Sequence, residues 1–198
     1  MHFQQIFTAE DPLILASESP QRVEILTMMQ IPFCTVKSDF PEILDPALSP
    51  VETAGLFAKG KAESVAKNFP NSFVVGVDTL VVSADGEILG KPKDEIEARR
   101  MIAQKSGKME TVISGICLVT PTQTIVRHEI AEIHFAVITA EDIEWMLACN
   151  EWQGRSGAIS VEGRSSAFIE RINGNFWNIV GFPIPTFLKM LKQVVSGK

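Results

Sequence analysis

The feature that most constrains this chain is the run Phe73-Val74-Val75-Gly76-Val77-Asp78-Thr79-Leu80-Val81-Val82. A near-continuous, β-branched segment of this length predicts a central strand covered on both faces. Asp78 stands in its middle, and a carboxylate there is costly unless it is paired or useful. Two readings stay open. Asp78 ends its strand and caps a neighbouring turn, or it lies in a cleft, where buried carboxylates carry shifted pKa values and catalytic roles. Beside a divalent ion it could hold the metal or take a proton from a water molecule.

The surrounding pattern alternates strands with helices. Leu13–Ala16 reads as a first strand that runs into Ser17-Glu18-Ser19-Pro20, with Ser19 as N-cap and Pro20 as first residue of a helix. Residues 31–37 predict a second strand, followed by a turn-rich segment from Ser38 to Pro50. Ser49-Pro50-Val51-Glu52 is a capping box opening a helix whose regularity Gly55 and Gly60 lower. Asp94-Glu95-Ile96-Glu97 predicts another box, on a helix ending at Ser106-Gly107, and Thr139–Asp142 opens a third helix. Residues 111–119 and 124–138 supply further strands, 154–164 a loop, and Pro185–Val195 a last helix. Asn173-Gly174, between Phe168–Ile172 and Phe176–Val180, is a hairpin signal. The whole predicts an α/β fold with a mixed sheet.

Composition narrows the function. At 198 residues with 45% hydrophobic and 21% charged residues, a real core can form in one domain, or one domain with two lobes. Loose termini are expected at 1–10 and 196–198. The net charge of −6 argues against a dedicated nucleic-acid binder but leaves room for a small phosphate pocket. No apolar stretch approaches the roughly 20 residues of a membrane-spanning helix. The three cysteines, Cys34, Cys117 and Cys149, lack metal-ligand spacing and read as small core hydrophobes in a reducing cytoplasm. Met28 and Trp145 read as packed.

The serine-rich turn at 17–19 is the second candidate for chemistry. A strand feeding a helix N-terminus presents backbone N–H groups, hydroxyls and a positive dipole end, the parts of an anion site. Arg22 adds a planar donor fork suited to phosphate, although an ordinary capped helix with an exposed arginine fits these residues equally. Lys91 lies between Gly90 and Pro92, which restrict its direction. Lys61, among Lys59 and Lys67, reads as a surface charge on its own.

Taken together, several segments resemble one family. Leu13–Leu26 (LILASESPQRVEIL), Lys61-Ala62, Gly76–Thr79, Leu89–Pro92, Ser106-Gly107 with Val112–Gly115, Gly157–Gly163 and Gly174–Pro183 occur in the order and spacing of the Maf family of nucleoside triphosphate pyrophosphatases. The resemblance implies a mixed, elongated central sheet flanked by helices, similar to inosine triphosphatase, with two lobes around a cleft. It implies hydrolysis between the α- and β-phosphates of a nucleoside triphosphate, a divalent cation (Mg2+ or Mn2+), and a homodimer. Asp78 falls on the family's general-base position, and Ser17, Arg22, Lys61 and Lys91 fall on phosphate-contacting positions. Ser19, Gln21, Thr79, Arg155 and Glu162 complete the expected substrate-binding set, with Asp78 and Glu42 toward the metal.

The chain departs from the family's usual pattern at Gln21 (arginine), Pro41 (a carboxylate, with Glu42 next door), Glu110 (histidine), Arg155 (lysine), Ile159 (tyrosine) and Glu162 (glutamine). Thr79 resembles the branch that takes thymidine and uridine triphosphates, whereas Glu162 resembles the branch that takes 7-methylguanosine triphosphate. A glutamate only accepts hydrogen bonds and so suits guanine's N–H edge. The altered positions also admit a nucleotide-binding regulator of cell division with weakened hydrolysis.

Overall fold

The computed structural model of the protein describes residues 6–195. In chain order the elements are β1 (Leu13–Leu15), α1 (Pro20–Met28), β2 (Phe33–Thr35), α2 (Pro50–Ala66), β3 (Val74–Val82), β4 (Ile88–Leu89) and α3 (Glu95–Lys105). There follow β5 (Met109–Val119), β6 (Thr124–Phe135), α4 (Ala140–Ala148), β7 (Ile169–Asn173), α5 (Phe176–Val180) and α6 (Ile184–Val195). The seven-stranded sheet has the order β2-β1-β3-β5-β6-β7, with β4 paired to β3 off this path. β1 runs parallel to β2 and β3, whereas β4 is antiparallel to β3 and β7 to β6. The sheet is mixed and flanked by helices, as the alternating pattern predicts.

The chain divides into two compact units. The first holds the residues up to Asp78, Ser114–Glu129 and those from Gly181 onward; the second holds Thr79–Ile113 and Ile130–Val180.

In the first unit, α2 lies against β3 and β5 at backbone distance. Ala54, Ala58 and Ala62 recur every fourth residue and so form one stripe of the helix. They face glycines. A Cβ on Gly76 would lie 2.4 Å from the Ala58 carbonyl oxygen and 2.7 Å from the Ala62 nitrogen; one on Gly115 would lie 2.1 Å from the Ala54 oxygen. Around this contact Ile14, Ala16, Val65, Val74 and Cys117 close the core. The predicted box starts α2: Ser49 N donates to Glu52 Oε2 at 2.8 Å and Glu52 N to Ser49 Oγ at 3.3 Å. The helix runs unbroken through Gly55 and Gly60, each of which costs about 1 kcal/mol relative to Ala.

In the second unit, Ala98, Met101 and Ile102 of α3 and Met146 and Leu147 of α4 bury themselves with Val112, Ile133 and Phe135. Asp94 Oδ1 caps α3 by accepting from Glu97 N at 2.8 Å. The Glu97 carboxylate accepts from Lys93 N instead of Asp94 N, so the expected box is half formed. Thr139 and Asp142 complete theirs on α4.

Several expectations are corrected. Asn173-Gly174 makes no hairpin: β7 ends at Asn173 and Phe176–Val180 is the helix α5. Asn175 Oδ1 accepts from Trp177 N at 2.9 Å and Asn178 N at 3.3 Å, which starts a helix where a return strand was expected. Cys34 is exposed at the β2 edge, Cys149 is half-buried, and only Cys117 among them sits in the core. Met28 and Trp145 are exposed, although Trp145 stands edge-on to Phe168. Of the termini expected to be loose, residues 1–5 and 196–198 lie outside the described residues; Phe7 is buried edge-on against Phe73 at 5.6 Å.

Two outcomes test this packing. Gly76→Ala forces α2 off the sheet and lowers unfolding stability by about 1–3 kcal/mol, read from the urea midpoint. Burial pushes the Cys117 thiol up to about 12. Iodoacetamide at pH 8 therefore modifies Cys34 in the folded protein and reaches Cys117 only after denaturant is added, as mass spectrometry will show.

Candidate active site

Asp78 is carried on β3 two residues after Gly76, so both point to the same face, toward α2. It is 5% exposed. Lys61, one residue before the Ala62 contact, is 8% exposed, and its Nζ donates to Asp78 Oδ1 at 2.6 Å. Lys61 is thus no surface charge. The same ammonium meets Glu42 Oε1 at 2.8 Å, although Glu42 itself is exposed. Asp78 Oδ2 is buried and has no hydrogen-bond partner among the described residues. An ionised acceptor left without a donor in a buried position is costly and calls for a ligand or a function.

The turn between β1 and α1 belongs to the same unit. Ser17 is buried, and its Oγ accepts from Arg22 Nη1 at 3.1 Å and from Ser19 N at 3.2 Å. Arg22 Nε donates to the Gly181 carbonyl at 3.0 Å, so these two bonds, through Nε and Nη1, fix the direction of the guanidinium. Burial lowers the Arg22 pKa, and the carboxylates of Asp78 and then Glu42 pull it back up. Arg22 is therefore not the exposed arginine of an ordinary capped helix. Ser19 occupies the N-cap position with extended backbone, but its hydroxyl makes no capping bond. It donates to Gln21 Oε1 at 3.0 Å. The first turn of α1 is thereby left without the usual side-chain acceptor, and its N–H groups and dipole suit an anion.

Of the residues predicted from sequence, Ser17, Ser19, Gln21, Arg22, Glu42, Lys61 and Asp78 all lie in the first unit: hydrogen bonds link the first four, ion pairs link the last three, and the attraction of Arg22 to Asp78 and Glu42 relates the two sets. Thr79, Lys91, Arg155 and Glu162 lie in the second. Lys91 is exposed after β4, where the Gly90 carbonyl accepts from Gly157 N at 3.0 Å. Arg155 Nη1 donates to Glu162 Oε1 at 2.7 Å, so the two departures of that loop form one pair. Thr79 follows Asp78 along β3 and is half-buried.

The sequence reading missed a second buried pair. Lys105 and Glu110 of the second unit form an ion pair with side chains 0% and 3% exposed. Burial lowers the Lys105 pKa and raises that of Glu110, while each charge pulls the other back. A signal was present: Ala98, Met101, Ile102 and Lys105 recur at helical spacing, which puts this lysine on the apolar stripe of α3.

For a divalent cation the donor set is small. No group of three or more His, Cys, Asp or Glu forms a metal cage among the described residues. Magnesium, however, is bound through one or two carboxylates with water and substrate phosphates. Asp78, with its unpartnered oxygen, and Glu42 fit that mode.

Comparison with known proteins agrees with the sequence resemblance. Residues 12–194 match the family described as Maf-like protein. The dTTP/UTP pyrophosphatase of Symbiobacterium thermophilum is 39% identical over 181 residues, covering 91% of this chain and 93% of that protein. The dTTP/UTP pyrophosphatase of Pyrococcus abyssi is 39% identical over 183 residues, 91% and 95% of the two chains, and that of Bacillus cytotoxicus 36% over 184 residues, 93% and 96%. Among solved structures, the Ham1 protein of Staphylococcus aureus covers 63% of this chain and 71% of its own at 16% identity, with a TM-score of 0.44. The chain belongs to the Maf-like family.

Removing one partner of the buried pair strands the other. Lys61→Met therefore lowers stability by about 3–5 kcal/mol in chemical denaturation, and adding Asp78→Leu recovers most of the loss. An unchanged midpoint for the single variant would contradict the paired burial of these two side chains.

Proposed function

We propose that this chain is a nucleoside triphosphate pyrophosphatase that cleaves dTTP and UTP between the α- and β-phosphates, giving the monophosphate and pyrophosphate. The names and coverage of its relatives support the reaction and the pyrimidine base. The observation that carries the reading to residues is the buried, unpartnered Asp78 Oδ2 beside the Lys61 ammonium.

The roles follow from the chemistry. Phosphoryl transfer needs positioning and charge neutralisation more than covalent help. Arg22, held by Ser17 and Gly181, presents a preset donor fork to phosphate oxygens, and the α1 N-terminus adds its dipole. Lys61 holds Asp78 through Oδ1, which leaves Oδ2 to take the proton of the attacking water. The water oxygen bonds to the α-phosphorus and pyrophosphate leaves with the bridging oxygen's electron pair. Asp78 and Glu42 are the residues that would hold a Mg2+ or Mn2+ ion. When bound, that ion offsets charge on the phosphate oxygens and the leaving group. Ser19 and Gln21, on the same turn as Ser17, serve as contacts to the nucleotide in this reading; for Lys91 a phosphate contact, and for Thr79, Arg155 and Glu162 nucleotide contacts, are what the family resemblance implies. The bond from Arg155 occupies one Glu162 oxygen, which leaves less of that carboxylate for a guanine edge and favours the pyrimidine. A homodimer, implied by the family resemblance, and a cytoplasmic location, which the free cysteines suit, complete the proposal.

A panel of dTTP, UTP, 7-methylguanosine triphosphate, ATP and ITP with Mg2+ or Mn2+, products resolved by chromatography, tests it. Turnover of dTTP and UTP to monophosphates is expected. Asp78→Asn should bind nucleotide and lose at least 100-fold in kcat, the scale of a positioned general base. Tight nucleotide binding with no pyrophosphate released would favour the regulator, and diphosphate products would show that another bond is cut.

A further inference from the structure

Glu42 reaches Lys61 from a segment that has no helix or strand of its own. Residues 36–48 lie between β2 and α2, and 41–47 are exposed throughout, with Ile43 74% exposed. A loop of this kind gives no reason for one carboxylate to stay on one ammonium. The reason lies in α2. Phe57, Gly60, Lys61 and Ser64 recur at spacings of three and four and share one face of the helix. The segment docks along that face. Ser38 Oγ and Ser64 Oγ are 2.9 Å apart, Phe40 N donates to Ser38 Oγ at 3.1 Å, and the Phe40 ring stands edge-on to Phe57 at 6.2 Å.

The Phe40 ring occupies the place of a missing side chain. A Cβ on Gly60 would lie 2.3 Å from Phe40 Cε2, 2.4 Å from Cδ2 and 2.5 Å from Cζ. Glycine in a helix interior is otherwise unfavourable, and at Gly60 the helix accepts it to admit the ring. Glu42 follows two residues after Phe40 and meets Lys61 at 2.8 Å.

We propose that Phe40 and Gly60 form a lock that seats Glu42 on the Lys61–Asp78 pair, which makes both of them positioning residues for the site. The lock compensates for the displaced acid: with Pro41 in the usual carboxylate position, Glu42 comes to the site by anchoring the residue before that proline. The part of the inference that concerns the cation rests on the reading of Glu42 given above; the lock itself rests on the packing alone.

Two readouts separate these layers. The first is the rate at which Lys61 is acetylated by an N-hydroxysuccinimide ester at pH 8, followed by mass spectrometry. The second is Mn2+ affinity measured by electron paramagnetic resonance on the full chain. Gly60→Ala and Phe40→Ala each open the loop and raise Lys61 acetylation at least fivefold with the thermal melt retained, and the double variant goes no further than either. Phe40→Ala leaves the sequence of α2 unchanged, so it keeps the test alive should Gly60→Ala fold poorly. Glu42→Gln, with the ring still seated, weakens Mn2+ binding at least fivefold, and Gly60→Ala adds nothing in that background. Acetylation within twofold of the parent chain in both single variants overturns the lock, as does a double variant whose increase is the product of the two. A faster rate in the variants of a chain that binds no Mn2+ keeps the lock and removes the cation from Glu42.

Discussion

Burying the Asp78 carboxylate in the middle of β3 is the constraint around which the first unit is arranged. Desolvating an ion is expensive, and an attraction at close range has to offset it. Lys61 can supply that attraction only if the backbone of α2 comes close to the strand. Gly76 makes the approach possible, because it removes the one side chain on that face that would stand between the strand and Ala58 and Ala62. Gly76 and Asp78 share a face because they are two apart, and Lys61 lands on Asp78 because it is adjacent to the helix residue that Gly76 admits. The ion pair and the helix–sheet contact are thus one structural solution.

That solution is electrostatically balanced but chemically incomplete. Lys61 and Arg22 face Asp78 and Glu42, two cations against two anions, so these four side chains together bring no net positive charge to a polyphosphate. A triphosphate entering such a site meets two carboxylates as well as its cationic partners. In the proposed reading, a divalent cation supplies the missing positive charge, and the open Asp78 oxygen is the acceptor that the protein leaves for substrate chemistry.

How much of this could be read from residues alone depended on the range of the interaction. Strand β3 and its anomalous Asp78 stood out because both are local. So did the boxes at Ser49 and Thr139, whose partners lie three residues away. Lys61 did not: it is one of several lysines on its helix, and its burial is decided by a glycine fifteen residues later. Glu42 was placed only by likeness to other proteins, since the ring that anchors its loop fits against a helix glycine that looks like a simple defect in sequence. Asn173-Gly174 misled for a related reason. The turn signal there is real, but Asn175 caps a helix immediately after it, and β7 finds its partner in β6.

The two buried lysine–carboxylate pairs, one in each unit, show why burial alone does not mark a catalytic group. Lys105 and Glu110 are the more enclosed, with side chains 0% and 3% exposed against 11% and 8% for Lys61 and Asp78. Both pairs leave one carboxylate oxygen without a partner among the described residues. The difference lies in what surrounds them. Lys105 is packed against Phe135 on one side, and a Cβ on Gly157 would come within 3.2 Å of its Nζ, so neighbouring backbone and ring close over the ammonium. Such a pair ties the end of α3 to β5 and supports the loop that begins at Arg155. Lys61 is instead shared with Glu42, whose own side chain is half in solvent. A charge that is buried yet covered only by a half-exposed carboxylate can exchange partners when an anion arrives, and a charge sealed by backbone cannot.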